Sequence, residues 1–353
     1  MDGRTHGKRS APLFLLLWLL ILWLVPQGCS DDTSAVDTRP VVADFSIDQA
    51  PTRDGLDALS VADVGVDAPV DSGVDGQAHD LARDGSVDVW MGPLSLRVMA
   101  ANLTSGNLQS YDAGHGARII KAFAPDIVLI QEFNVGENED VELRAFVDQT
   151  LGSSYHYIRG TGMIPNGVIS RYPIVESGEW IDSEASNRNF SWAKIALPGG
   201  RDLWAISVHL LSGKTASSRR HVEANELLDH IKSNIPAGSL TLLGGDFNTE
   251  TRSEGCVGVL RARFVAATPY PADQLDNDNT NAPRNHPYDW VLASPALHQQ
   301  STPLSIGANT FEAGLVFDSR VYTPLSDVPP VLVDDSAADQ MQHMAVIRQF
   351  YWE

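Results

Sequence analysis

Cysteine is almost absent from this chain: its 353 residues hold two, Cys29 and Cys256. At most one disulfide can form, so a disulfide-stapled scaffold and a cysteine-rich zinc module are both excluded. Positive charge is scarce as well. Lys and Arg total 25 against 45 Asp and Glu, a formal net charge of −20. That balance does not supply the basic surface that neutralises the phosphates of a nucleic acid, although an acidic protein can still meet a polyanion through a metal ion. Long apolar runs are missing except near the start. The apolar fraction, 43%, is nonetheless ordinary for a folded protein and rules out wholesale disorder. The length fits two domains, or one large domain with accessory segments.

The charge is unevenly spread: +2 over residues 1–29, −11 over 30–92 and −11 over 93–353. Arg4, Lys8 and Arg9 precede the apolar run Leu13–Val25, which is followed by Pro26-Gln27-Gly28-Cys29. A basic start, an apolar run and small residues beside a Cys read as a secretory signal over residues 1–28. As a helix the run reaches only about 20 Å, short of the roughly 30 Å of a bilayer's hydrocarbon. Gly28-Cys29 resembles the lipobox of bacterial lipoproteins, which implies lipidation at Cys29, export to the cell envelope and attachment of the mature N-terminus to a membrane. Pro26 and Gln27 stand where that motif usually has Leu and a small residue, and an uncleaved anchor is the alternative. With Cys29 lipidated, Cys256 has no intrachain partner and reads as a small core or loop residue.

Residues 29–92 read as a tether. Asp recurs every three to six residues, as in Val66-Asp67-Ala68-Pro69-Val70-Asp71-Ser72-Gly73-Val74-Asp75, with neither helical nor strand periodicity. Low hydrophobicity with charge of one sign keeps such a segment solvated and extended. A calcium-binding repeat is the alternative, but the fixed glycine and bidentate glutamate of a calcium loop are missing.

From residue 93 the pattern is that of a folded domain. Leu94–Leu103 alternates as a strand, and a helix is expected over His115–Phe123, with Ile119, Ile120 and Phe123 on one side and Pro125 as its stop. Asp126–Glu132 is apolar until its last two residues. Leu203–Leu210 is a further strand, followed by a helix over Ser217–Asn234 with Val222, Leu227, Leu228 and Ile231 as its apolar face. Leu240–Leu243, Tyr288–Leu292 and Met344–Phe350 complete the strands. Strands alternating with helices indicate an α/β domain. Asn102, Glu132, His209, Asp246, Asn248, Asp289 and His343 each fall at the end or edge of one of these strands, where α/β folds assemble their sites. Singly, each has a plain explanation as a turn cap or a satisfied core group.

The pieces RVMAANL, PDIVLIQE, NGVISRYPI, AISVHLLSG, LLGGDFNT, PYDWVLAS and QHMAVIRQF follow one another through this region. With them residues 93–353 resemble the endonuclease/exonuclease/phosphatase superfamily, the DNase I-like fold; IQE and GGDFN are the most specific pieces. The resemblance implies a four-layer α/β sandwich of two mixed β-sheets flanked by helices. It also implies a monomeric, divalent-metal-dependent phosphoesterase that attacks phosphorus with an activated water. Glu132 and Asn102 then belong to the metal site. Asp246 orients and activates the water, and Asn248 and His209 meet the phosphate. His343 stabilises the developing charge, and Asp289 fixes the imidazole. An all-oxygen site suits Mg²⁺ or Mn²⁺ better than Zn²⁺. The D-x-N spacing suggests an extended chain on which the intervening residue faces away.

One departure stands out: the family usually ends in Ser-Asp-His, and here Gln342 precedes His343, with Asp339 the nearest upstream carboxylate. A neutral amide there weakens any second cation site and leaves open a catalytically silent binding protein. The enzymatic readings are a nuclease-like phosphodiesterase or a phosphomonoesterase or phospholipase/sphingomyelinase-like hydrolase. Arg171 and Arg188 could meet phosphate or form structural ion pairs. Arg219 and Arg220 read as a solvated helix face, with anion attraction at the helix start as the alternative. The loop Asp273–Asn281 reads as solvated, lacking calcium-loop spacing.

Overall fold

The computed structural model describes residues 92–353. The signal segment 1–28, the lipidation candidate Cys29 and the tether up to residue 91 therefore lie outside the described residues. In chain order the first part comprises β1 (Leu94–Ala101), α1 (His115–Phe123), β2 (Ile127–Ile130), α2 (Asp140–Thr150), β3 (His156–Arg159) and β4 (Gly167–Ser170). Next come β5 (Ile174–Trp180), β6 (Phe190–Leu197), β7 (Arg201–His209), α3 (Ser217–Asn234), β8 (Leu240–Asp246), α4 (Gly255–Leu260) and β9 (Asp289–Ala293). The chain closes through α5 (Pro295–His298), the short strands β10 (Ser301–Thr302), β11 (Leu304–Ile306), β12 (Asn309–Phe311) and β13 (Leu315–Phe317), and finally β14 (Ala345–Trp352).

Two mixed sheets result. The larger runs β10-β14-β1-β2-β4-β3, with β13 also on β14, and the smaller runs β5-β6-β7-β8-β9; β11 and β12 form a separate hairpin. Each large sheet contains one parallel pair, β1 with β2 and β7 with β8, and its other pairings are antiparallel.

The two-residue period of a strand decides which face each side chain joins. Leu96, Val98, Ala100, Ile127 and Leu129 pack inward against Leu203, Ala205, Leu242 and Val291 of the other sheet. Met99, Ala101, Val128 and Ile130 face the opposite way, onto Ile119, Ile120 and Phe123 of α1 and Phe146 of α2. On the second sheet Trp204, Ile206, Val208 and Leu243 pack against Leu227 and Ile231 of α3 and Val257 of α4. The order is helices, sheet, sheet, helices, the four layers expected from the sequence.

The helix α1 has the expected bounds and apolar side. It stops where Ala124 turns left-handed (φ 40°) and donates its N–H to Ile120 and Lys121 carbonyls. The helix α3 also has the expected bounds, but its buried face differs. Val222 is 45% exposed, whereas Arg220, Glu223 and Ala224 are buried beside Leu227, Leu228 and Ile231. Arg220 is consequently not on a solvated face. It is fully buried and makes a two-pronged pair with Glu254 (2.6 and 3.1 Å) while donating to the Leu211 and Gly213 carbonyls, both at 2.9 Å. Arg219 is exposed and pairs with Glu184 at 2.6 Å. Cys256 is buried in α4, where burial and the Glu254 charge push its thiol up to about 12.

Candidate active site

The two parallel pairs deliver their C-terminal ends to the same end of the sandwich. In the first sheet Ala101 and Ile130 are register partners, and Asn102 and Glu132 follow just beyond them. In the second, His209 is the register partner of Asp246, and Asp246 is in turn the partner of Asp289 on β9. His343 arrives two residues before β14. The sheets are tied together behind the site by polar contacts. Gln131 Nε2 donates to Ser207 Oγ (2.9 Å), which itself donates to the Ile130 carbonyl (2.9 Å).

All seven residues expected from the sequence converge, six of them in one hydrogen-bonded network and His209 beside it. Asn102 Nδ2 donates to Asp246 Oδ2 (3.1 Å) and Glu132 Oε1 (3.4 Å) and lies 3.3 Å from His343 Nε2. His209 Nε2 is 3.2 Å from Asp246 Oδ2. Asn248 Nδ2 donates to the same oxygen (3.0 Å) and to the Leu210 carbonyl (3.0 Å). His343 bridges two carboxylates, its Nδ1 3.0 Å from Asp289 Oδ2 and its Nε2 3.4 Å from Asp246 Oδ2. Except for Glu132, whose side chain is 14% exposed, all are buried.

Backbone geometry supports this convergence. Glu132 (φ 49°) and Asn248 (φ 51°) both adopt the left-handed conformation that side-chain-bearing residues rarely take, a form of local strain that concentrates at functional sites. Asp246 is approached so closely that glycine is required before it. A Cβ on Gly245 would meet the Val208 carbonyl at 2.2 Å, and one on Gly244 the Trp290 carbonyl at 2.6 Å. The D-x-N spacing has a different origin from the extended chain expected. Asp246 Oδ1 accepts the Asn248 N–H at 2.8 Å, a tight turn on the Asp side chain. Phe247 does face away, stacked on Trp290 at 5.9 Å.

The charges are unbalanced. Burial opposes protonation of His343, yet Asp289, Asp246 and Glu132 together outweigh it and raise the imidazolium to about 10. Burial pushes the Asp246 carboxyl up to about 7; the His343 charge resists this and Asp289 adds to it. Burial, with the charges of Arg188 and His343, holds His209 well below its ordinary value, hence neutral. The His209 Nδ1, the Asn102 Oδ1 and the Asp289 Oδ1 are buried without a partner, and buried polar atoms are normally paired. Three carboxylates share one imidazolium and the nearby Arg188, whose donors are taken by backbone carbonyls, and three acceptors of the cluster are orphaned: it has room for a further cation.

Two sets of side chains could take that cation. Asp246, Asp289 and His343 offer atoms within 4.8 Å of one another. His343 Nδ1, however, is already bonded to Asp289, its Nε2 lies between Asn102 Nδ2 and Asp246 Oδ2, and an imidazolium has no lone pair for a metal. The set Glu132–Asn102 fits better. Glu132 is the most accessible carboxylate of the cluster, held by Thr104 Oγ1 at 2.8 Å, and the free Asn102 oxygen lies on the amide bonded to it.

Around the cluster several expectations from the sequence are revised, and Thr104 and Gln131 are added to it. Arg188 is buried and donates to the carbonyls of His209 and, at 2.9 Å, Leu210, rather than entering an ion pair. Arg171 does pair, with Asp126 at 3.2 Å. Thr104 and Gln131 are buried here, and a Thr or Gln in a strand's turn carries no signal in periodicity. Gln342 is exposed; its carbonyl, not its side chain, is used, accepting the Ala282 N–H at 2.7 Å. The loop from Asp273 is not simply solvated, since Asp273 is buried and pairs with Arg284 at 2.8 Å.

Two mixed sheets packed face to face between helices, with a polar cluster at the shared end of their parallel pairs, define the DNase I-like class of fold. The chain belongs to the endonuclease/exonuclease/phosphatase family, whose model matches residues 107–313. Among solved structures it is similar to TDP2 of D. rerio complexed with a single-strand DNA product. That match has 18% identity and a TM-score of 0.50, covering 73% of this chain and 99% of that one. The human nocturnin catalytic domain with bound sulfate is similar at 14% identity and a TM-score of 0.50, covering 74% and 97%. At these identities the likeness concerns the fold. No curated protein sequence matches the chain.

Proposed function

We propose that the chain is an exported, divalent-cation-dependent phosphodiesterase, attached to the cell envelope through lipid on Cys29. The observation that carries the catalytic part is the cation-deficient cluster of Glu132, Asp246 and Asp289 around one imidazolium; family membership supports a phosphoester hydrolase more generally. Glu132, with the free Asn102 oxygen, would hold Mg²⁺ or Mn²⁺, which when bound polarises a phosphoryl oxygen and offsets its growing charge.

The remaining chemistry belongs to the chain's own side chains. Asp246 orients a water towards phosphorus and takes its proton as the new P–O bond forms; the ester P–O bond breaks with its electron pair going to the leaving oxygen, which is protonated from solvent. The buried carboxyl at about 7 is poised for that transfer near neutral pH. His343, protonated, donates to a phosphate oxygen as charge accumulates, and Asp289 fixes its ring through Nδ1, as a third group orients a catalytic imidazole elsewhere. Asn248 and His209 flank Asp246 Oδ2 at 3.0 and 3.2 Å and would help to hold both that carboxylate and the phosphate.

Hydrolysis of bis-p-nitrophenyl phosphate, plasmid DNA, RNA, p-nitrophenyl phosphate and sphingomyelin, with Mg²⁺ and with EDTA, tests the reading. Diester turnover that EDTA abolishes, and that Glu132→Gln lowers by about 10²-fold or more, is expected from loss of one charge-stabilising group. Undiminished activity of Glu132→Gln in EDTA refutes the metal assignment. Turnover confined to the monoester refutes the diesterase assignment.

A further inference from the structure

The loop before Asp289 is organised around a charge of its own. Arg284 has a left-handed backbone (φ 59°) that turns its side chain back into the loop, where only 10% of it is exposed. Nε donates to the Asn279 carbonyl (2.8 Å), Nη1 to Asp318 Oδ2 (2.9 Å), and Nη2 to Asp273 Oδ2 (2.8 Å) and the Asn277 carbonyl (3.1 Å). Two carboxylate and two carbonyl oxygens converging on one buried positive charge form the kind of donor set that hard cations take. Here the positive charge is part of the chain, and its planar fork satisfies four oxygens at once. The same Asp318 holds Arg320 at 2.6 Å, and Arg320 donates to the Ala282 carbonyl at 3.1 Å.

What this hub holds in place is the segment Thr280–Ala282, and that segment grips both members of the imidazole–carboxylate pair. The Ala282 N–H donates to the Gln342 carbonyl and the Met344 N–H to the Thr280 carbonyl, both at 2.7 Å. Asn281 faces His343 as an antiparallel bridge partner. Thr280 Oγ1 accepts the Asp289 N–H at 2.6 Å. The backbone on each side of His343 and the amide of Asp289 are thus anchored to the same three residues.

We propose that Arg284 is a positioning residue for hydrolysis. It acts as an internal cation that locks residues 273–286 and, through Thr280–Ala282, sets the His343–Asp289 pair against Asp246. The inference rests on the reading of His343, Asp289 and Asp246 as the catalytic group. A displacement of about 1 Å in such a pair can cost on the order of 10²-fold in rate, so a residue that never touches substrate can govern kcat.

The test compares wild type with Arg284→Ala and the milder Arg284→Lys, using bis-p-nitrophenyl phosphate with Mg²⁺ and hydrogen exchange of the full chain. Arg284→Ala is expected to lose about 10²-fold in kcat with KM within about threefold, the pattern of an interaction realised in the transition state. Arg284→Lys, which keeps the charge but not the fork, should fall between. Guanidinium ion at tens of millimolar should partly restore Arg284→Ala and leave His343→Ala inactive. Exchange should rise in Arg284→Ala over Thr280–Tyr288 and Gln342–Met344 and stay unchanged in β5 and β6. A folded Arg284→Ala with wild-type kcat overturns the proposal, as does exchange that rises only over residues 273–279. A wild type inactive on every diester refutes the hydrolase reading instead, and the exchange measurement then still decides whether Arg284 governs the His343 segment.

Discussion

His343 is the residue on which the site turns. It sits between Asp289 at 3.0 Å and Asp246 at 3.4 Å, so one imidazolium serves two buried carboxylates. Its replacement leaves both without their counter-charge. His343→Ala is expected to lower the rate by on the order of 10³-fold, the upper range for losing one donor to developing charge. Asp289→Asn, which keeps the ring's neighbour but not its charge, should cost less. The double variant should lose little beyond His343→Ala, because groups acting as a unit are not additive; steady-state kinetics of the three variants check this, and full additivity would separate the pair. At this scale the sequence was informative about residue identity and uninformative about bonding. All seven site residues could be named from strand ends and motif resemblance. That His209 Nε2 comes within 3.2 Å of Asp246, and that Gln342 contributes a carbonyl and not a side chain, depends on rotamers and loop paths that no linear pattern encodes.

Among the elements, α3 carries the largest surprise. Its buried side includes Glu223, whose two oxygens accept the Leu211 N–H at 3.0 and 3.1 Å, just past His209. Burial, and next the charge of the buried Asp182, push Glu223 up to about 8. A carboxyl raised in the folded state binds its proton more tightly there than in the unfolded chain. Its stabilising contribution is therefore complete below the ordinary 4.5 and is lost as pH rises through about 8. Glu223→Gln keeps an acceptor for Leu211 and an N–H for Asp182. Its melting temperature should consequently fall less than that of the wild type between about pH 6 and pH 9, as thermal scans across that range would register; parallel curves would place the proton elsewhere. The helix bounds were legible because Pro125 and the spacing of Leu227, Leu228 and Ile231 are local signals. The burial of Arg220 and Glu223 was not, because a charged residue goes inside only when a partner such as Glu254 or the Leu211 amide is waiting, and both partners come from other parts of the chain.

For the whole molecule, we propose that residues 93–353 fold without the Asp-rich stretch upstream of them. The proposal rests on composition: residues 30–92 hold fourteen Asp, three Arg and only two aromatic residues, a pattern that favours solvation over a packed core. A chain beginning at Gly92 is expected to fold and to hydrolyse the same substrates at the rate of the longer soluble form. Aggregation or inactivity of that shorter chain would assign residues 30–91 a part in the domain. Along β1 and β14, the antiparallel pair at the centre of the larger sheet, Leu94 is the partner of Trp352, while Asn102 and His343 stand at the other end. Eight residues of strand separate the two ends, roughly 26 Å at about 3.3 Å per residue. The first and last strands thus begin and finish as neighbours at the pole farthest from the chemistry. The domain can be held, fused or inserted by that pole, and its ends spliced by a short link to open the chain elsewhere, with the catalytic face left free to whatever phosphate approaches it.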